Sequence, residues 1–100
     1  MSKYYDEFKD RQSILDQTNY GAKLPSEDEI VYAGYTYEDY SGSALIVFVR
    51  DGQWYENNDG HCSYFGLEGW GPEATLPEAV LKYTHWPGLA EAVTERLARE

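Results

Sequence analysis

Basic residues are scarce in this chain. Its 100 residues hold 8 Lys and Arg against 18 Asp and Glu, a formal net charge of −10. That shortage excludes a grip on nucleic acid through phosphates, where affinity comes from Lys and Arg displacing counterions. It also argues against binding to an anionic membrane surface. Cysteine is nearly absent: Cys62 stands alone, which excludes an internal disulfide and any structural zinc site of the multi-cysteine kind. Long apolar runs are missing too. The longest, Ala44 to Val49, falls far short of a membrane span. The opening Met-Ser-Lys-Tyr-Tyr-Asp-Glu carries no apolar stretch of the signal-peptide type, so a cytoplasmic location is expected.

What is abundant points to folding. Hydrophobic residues make up 42% of the chain and aromatics 16%, too many for a chain that cannot collapse. The length fits one domain, 1–100, with a single modest core.

The charge is segregated. Residues 1–23 and 81–100 each balance their acids against their bases, whereas residues 24–80 hold eleven acids and one base, Arg50. Solubility requires only total charge, so the segregation suggests a negative face aimed at a basic partner. The plainer alternative is that the acids keep an aromatic-rich sheet in solution.

The periodicity predicts a helix from Ser2 to about Gln17, with Tyr5, Phe8, Gln12 and Leu15 at helical spacing and Asp6 and Glu7 in its first turn. Ile30 to Tyr37 alternates like a strand, with Ile30, Tyr32 and Gly34 on one face and Val31, Ala33, Tyr35 and Tyr37 on the other. Ala44 to Arg50 reads as a central strand buried on both sides. Asp51-Gly52 signals a tight hairpin leading to a strand at Gln53–Glu56, which ends at Asn57-Asn58-Asp59-Gly60. An irregular packed loop is expected from His61 to Glu73. Thr75-Leu76-Pro77-Glu78 has the form of a capping box opening a helix through Tyr83, and a last helix carries Leu89, Val93 and Leu97. The expected fold is α+β: an N-terminal helix, a three-stranded antiparallel sheet and two short C-terminal helices, with the helices on one sheet face and the other free for recognition.

Little in the chain looks like chemistry. His61 and Cys62 are adjacent, so in extended chain they point apart and cannot act as base and nucleophile on each other. His61, Cys62 and His85 lack regular metal-ligand spacing, and the glycines of 66–71 neither follow a secure strand nor open a helix. No catalytic residue, metal or cofactor is expected. The aromatic residues say more. Tyr32, Tyr35, Tyr37 and Tyr40 crowd into nine residues beside Glu38 and Asp39. Tyrosine offers a rigid surface with a polar tip and is enriched in interfaces. Carboxylates along strands and loops can imitate a row of phosphates. The candidate partner-binding residues are Glu27, Asp28, Glu29, Glu38, Asp39, Asp51, Glu56 and Asp59 for charge, with Tyr35, Tyr37 and Tyr40 for contact area.

Asp59-Gly60-His61-Cys62-Ser63-Tyr64-Phe65-Gly66-Leu67-Glu68, followed by Trp70-Gly71-Pro72-Glu73, resembles a motif of small acidic proteins encoded by bacteriophages. There it runs roughly His-Cys-Ser-Cys-Tyr-Gly-Leu-Glu and then Trp-x-Pro-Glu. Tyr64 stands where that family often has a second cysteine, which weakens a paired-cysteine role here. The resemblance implies a phage origin. In size and charge the chain is also similar to phage proteins that disable bacterial defences, anti-CRISPR proteins and DNA mimics among them. The expectation is a non-catalytic inhibitor of a host nucleic-acid-binding defence complex, of the anti-CRISPR kind. It would occupy a Lys/Arg-rich surface without touching nucleic acid or membrane itself. The alternatives are an adaptor domain that uses the 61–73 loop and a small metal-dependent enzyme.

Overall fold

The computed structural model describes residues 3–18, 20–38, 41–62 and 70–99, with backbone alone at Tyr37, Glu38, Ser41, His61 and Cys62. The elements are β1 (Tyr4–Asp6), α1 (Arg11–Gln17), a single 3-10 turn (Gly21–Lys23), β2 (Ile30–Glu38), β3 (Ser41–Arg50), β4 (Gln53–Cys62), β5 (Glu73–Thr75), α2 (Pro77–Val80) and α3 (Leu89–Arg99). The five strands form one mixed sheet in sequence order, with β1 parallel to β2 and all other pairs antiparallel. The class is α+β, but the three-stranded antiparallel sheet and the long N-terminal helix are both overturned.

The N-terminal correction has a clear cause. Tyr4 and Tyr5 favour strand, and they pair with Ala33 and Gly34, nearly thirty residues on, a contact that helical spacing cannot register. Asp6 takes φ 57, which turns the chain out of the strand. Helix formation is delayed until Asp10, whose carboxylate accepts from the Ser13 N–H at 2.8 Å while the Ser13 hydroxyl accepts from the Asp10 N–H at 3.1 Å. That reciprocal cap fixes the start of α1.

β3 is the buried centre, as its apolar run predicts. Ala44, Ile46 and Phe48 face one core, with Phe8, Ile14, Tyr20 and Leu24. Leu45, Val47 and Val49 face a second, with Val80, Trp86, Leu89, Ala92 and Val93. Helices and turns therefore cover both sides of the sheet, and the expected free face does not exist. A register shift between Ile30 and Tyr32 also changes the alternation in β2. Ile30 joins Ala33 and Tyr35 in the first core, while Val31 and Tyr32 lie in the second. Gly34 is needed for the second cover, since a Cβ there would sit 3.0 Å from the Trp86 ring.

β4 runs past its expected end because β3 supplies a partner for every residue from Gln53 to Cys62. Asp51 (φ 53) and Gly52 (φ 79) make the expected hairpin. Thr75 pairs with Trp54 in β5 instead of capping a helix. α2 begins at Leu76 without a side-chain cap, helped by Pro77, and spans only Pro77–Val80. α3 buries Leu89 and Val93 as its stripe predicts, but Leu97 is exposed. Among the described residues, no helix is long and apolar enough to cross a membrane.

Candidate functional site: carboxylates on two sides of the sheet

The segment 24–30 gathers four bases, Lys3 and Arg50 on carboxylates and Arg11 and Arg96 on backbone carbonyls. Lys3 forms an ion pair with Glu27 at 3.3 Å and donates to the backbone carbonyls of Glu27 and Ile30. Arg50 makes a two-pronged bond to Glu29, at 2.9 and 3.2 Å. The Ser26 N–H adds a third bond to Glu29, at 2.9 Å. Arg50, with further help from Ser26, holds the Glu29 carboxyl down to about 2. Arg11 donates to the carbonyls of Leu24 and Pro25, and Arg96 to that of Asp28 at 2.7 Å. Glu27, Asp28 and Glu29 thus sit in a corner where charge is largely compensated. Glu27 also accepts from the Tyr4 hydroxyl at 2.6 Å, the main cause of its lowered pKa.

The β4–β5 flank is different. Glu56 shares the α3 side of the sheet with Trp54, and Asp59 lies on the α1 side with Tyr55, because β4 alternates. The Tyr83 hydroxyl donates to Glu56 at 2.5 Å and Asn58 Nδ2 at 2.9 Å. Burial pushes the Glu56 carboxyl up, but hydrogen bonds from Tyr83, Thr75 and Asn58 outweigh it and leave it below its ordinary value. The Tyr20 hydroxyl donates to Asp59 at 2.6 Å, across 39 residues of sequence. Burial, then the bond to Asp59, pushes the Tyr20 hydroxyl up; the bond to Glu56 does the same for Tyr83.

Glu73 lies directly across from Glu56 in the β4–β5 ladder, so two carboxylates share one cross-strand position. Such a like-charge pair is destabilising. Arg50 is the single Lys or Arg on any of the five strands, and Glu29 engages it. Between Glu56 and Asp59, Asn57 is buried and accepts from the Gly71 N–H at 2.8 Å. Its Nδ2 makes no bond of hydrogen-bonding geometry, although it lies close enough to Tyr20 to offset part of that hydroxyl's upward shift.

The predicted residues therefore separate. Tyr35 is 6% exposed and packs on Phe8, so its ring supplies core and not contact area. Asp51 is exposed at the hairpin. Tyr37 and Glu38 are placed by backbone only, in the rungs Tyr37–Gly42–His61 and Glu38–Ser41–Cys62 at the end of the sheet away from Arg50. Asp39, Tyr40 and residues 63–69 of the phage-like motif lie outside the described residues. His85 is exposed beside Trp86. Among the described residues, no group of three or more His, Cys, Asp or Glu is arranged to hold a metal ion.

Sequence reasoning missed Tyr20, Tyr83 and Lys3, the donors that hold Asp59, Glu56 and Glu27. Their partners lie 24 to 39 residues away, and no local pattern marks them.

No protein-family model, curated protein or solved structure matches this chain.

Proposed function

We propose that this chain is a non-catalytic binding protein whose β4–β5 flank presents fixed carboxylates to a Lys/Arg-rich, nucleic-acid-binding surface of another protein. Inhibition of a host defence complex, as phage anti-CRISPR proteins achieve it, is the form of that reading the sequence motif favours. Its setting would be the bacterial cytoplasm.

The observation that carries the reading is the kind of donor on each carboxylate. Glu56 is held by the neutral Tyr83 hydroxyl and the Asn58 side-chain amide, which fix its position and leave its negative charge whole; the Tyr20 hydroxyl fixes the position of Asp59. Preorganised charge loses little side-chain entropy on binding. The opposed Glu56 and Glu73 support the same view, because solubility does not require two carboxylates on one rung. Charge complementarity of this kind raises the on-rate and rejects wrong partners.

The test uses immobilised protein and bacterial extract at two salt concentrations, with and without added nucleic acid. Captured proteins should be nucleic-acid binders. They should be released as the Debye length falls from about 30 Å at 0.01 M to about 8 Å at 0.15 M salt, and displaced by DNA or RNA. Glu73→Lys should reduce capture strongly and Asp28→Lys only slightly. Capture indifferent to salt and compatible with bound nucleic acid would sink the proposal.

A further inference from the structure

At the corner remote from the acidic flank, a cleft runs between the last turn of α3 and the start of β2. Its lining is Lys3, Ile30, Val31, Ala92, Glu95, Arg96 and Arg99, around a hollow of about 40 Å³. On the same measure one water needs about 10–15 Å³, so the cleft has room for a small polyatomic ion. Three bases and one acid line it, in a chain with 18 acids and 8 bases. This reverses the balance found elsewhere in the molecule.

The three bases have different duties. Lys3 spends its donors on Glu27 and on the carbonyls of Glu27 and Ile30, so it closes the wall of the cleft and leaves the anion to the arginines. Arg96 donates Nη1 to the Asp28 carbonyl at 2.7 Å, which anchors its guanidinium at the cleft. Arg99 is exposed, and its side chain bonds to no described residue. It does not bridge to Glu95, one helical turn back. Arg96 and Arg99, three residues apart, share one side of α3. Both also balance the negative end of the α3 dipole, but that role needs no enclosed hollow.

We propose that this cleft is a binding site for a phosphate-type oxyanion, taken by the Arg99 guanidinium, with Arg96 adding positive potential beside it. Planar guanidinium donors match tetrahedral oxyanions better than they match halides. Glu95 and the α3 carbonyls oppose the anion, so the affinity is modest and depends on the Arg99 donors. The site is separate from the acidic flank and does not rest on the function proposed for it.

The test is a titration of the purified full chain with inorganic phosphate, followed by the side-chain Nε–Hε resonances of Arg96 and Arg99. Sodium chloride at matched ionic strength is the reference. Phosphate should move the Arg99 signal saturably and chloride should not. Arg99→Gln should weaken binding about tenfold or more, the loss of one charge-assisted hydrogen bond. Lys82→Gln, far from the cleft, should leave it unchanged. Titrations with a nucleoside 5′-phosphate and with the unphosphorylated nucleoside separate the sources. A gain in affinity over inorganic phosphate assigns the site to phosphomonoesters, and equal affinity assigns it to the free ion. Equal responses to phosphate and chloride, or equal losses in Arg99→Gln and Lys82→Gln, would overturn the proposal.

Discussion

Glu29 and Glu56 are both carboxylates of the acidic middle segment, and both are hydrogen-bonded, yet they leave different surfaces behind. In the 24–30 corner the donors to Glu29 include Arg50, and Glu27 has Lys3, so the charges largely cancel. On the β4–β5 flank the donors to Glu56 are the Tyr83 hydroxyl and the Asn58 amide, both neutral, so its charge stays. Sequence charge counts treat both groups alike. What distinguishes them is whether the donor brings a positive charge of its own. A surface of formal charge −10 is therefore not a uniform field: the corner pairs its carboxylates with cations, while Glu56 and Glu73 face each other on one rung of the flank.

Alkali should give the largest effect. The hydroxyls of Tyr4, Tyr20, Tyr32 and Tyr83 are all shifted upward from the ordinary tyrosine value of 10.0. Groups raised in the folded state stabilise it fully below their unfolded value and lose that contribution as pH rises through the folded values. Stability should hold to about pH 10 and then fall. The ring resonances of Tyr20 and Tyr83 should report their ionisation together with unfolding, not ahead of it. Ionisation of Tyr20 or Tyr83 at pH 10 in a fully folded protein would break the claim that these two hydroxyls hold the flank.

Single substitutions sharpen the comparison. Gly34→Ala forces a Cβ against Trp86 and should destabilise by about 1–3 kcal/mol through overpacking, measured by denaturant unfolding. No loss there would reopen the possibility of an uncovered sheet face. Tyr20→Phe removes a donor to part-buried Asp59 and should cost about 1.5–3 kcal/mol, the range for a hydrogen bond to a charged group. Glu73→Lys places an opposite charge across from Glu56. It should stabilise the fold by roughly 0.2–1 kcal/mol while weakening partner binding. Opposite signs in the two measurements would show that the acidic rung serves binding at the expense of stability.

The smallest effects belong to the corner. Arg50→Gln breaks a half-exposed pair and should change stability by no more than about 1 kcal/mol. The Glu29 carboxyl is lowered from 4.5 to about 2. Its contribution is therefore complete above pH 4.5 and lost as pH falls toward 2. In Arg50→Gln that acid-dependent part should shrink, while the alkaline transition stays where it was.

Short-range pattern alone determined much of this protein. The apolar run of β3, the Asp51-Gly52 hairpin, the start of β2, the Leu89 and Val93 stripe of α3 and the gathering of acids in the middle segment are all legible in the sequence. Each depends on composition or on residues a few positions apart. The parallel β1 strand, the two-sided cover of the sheet, the continuation of β4 and the sorting of compensated from uncompensated carboxylates were decided by tertiary structure. Tyr4 meets Ala33, Tyr20 meets Asp59, Tyr83 meets Glu56 and Arg96 meets Asp28 across 27 to 68 residues. No local window holds both members of such a pair. The chain supplies the carboxylates, but only folding brings each one either a cation that neutralises it or a tyrosine that holds it and leaves its charge intact.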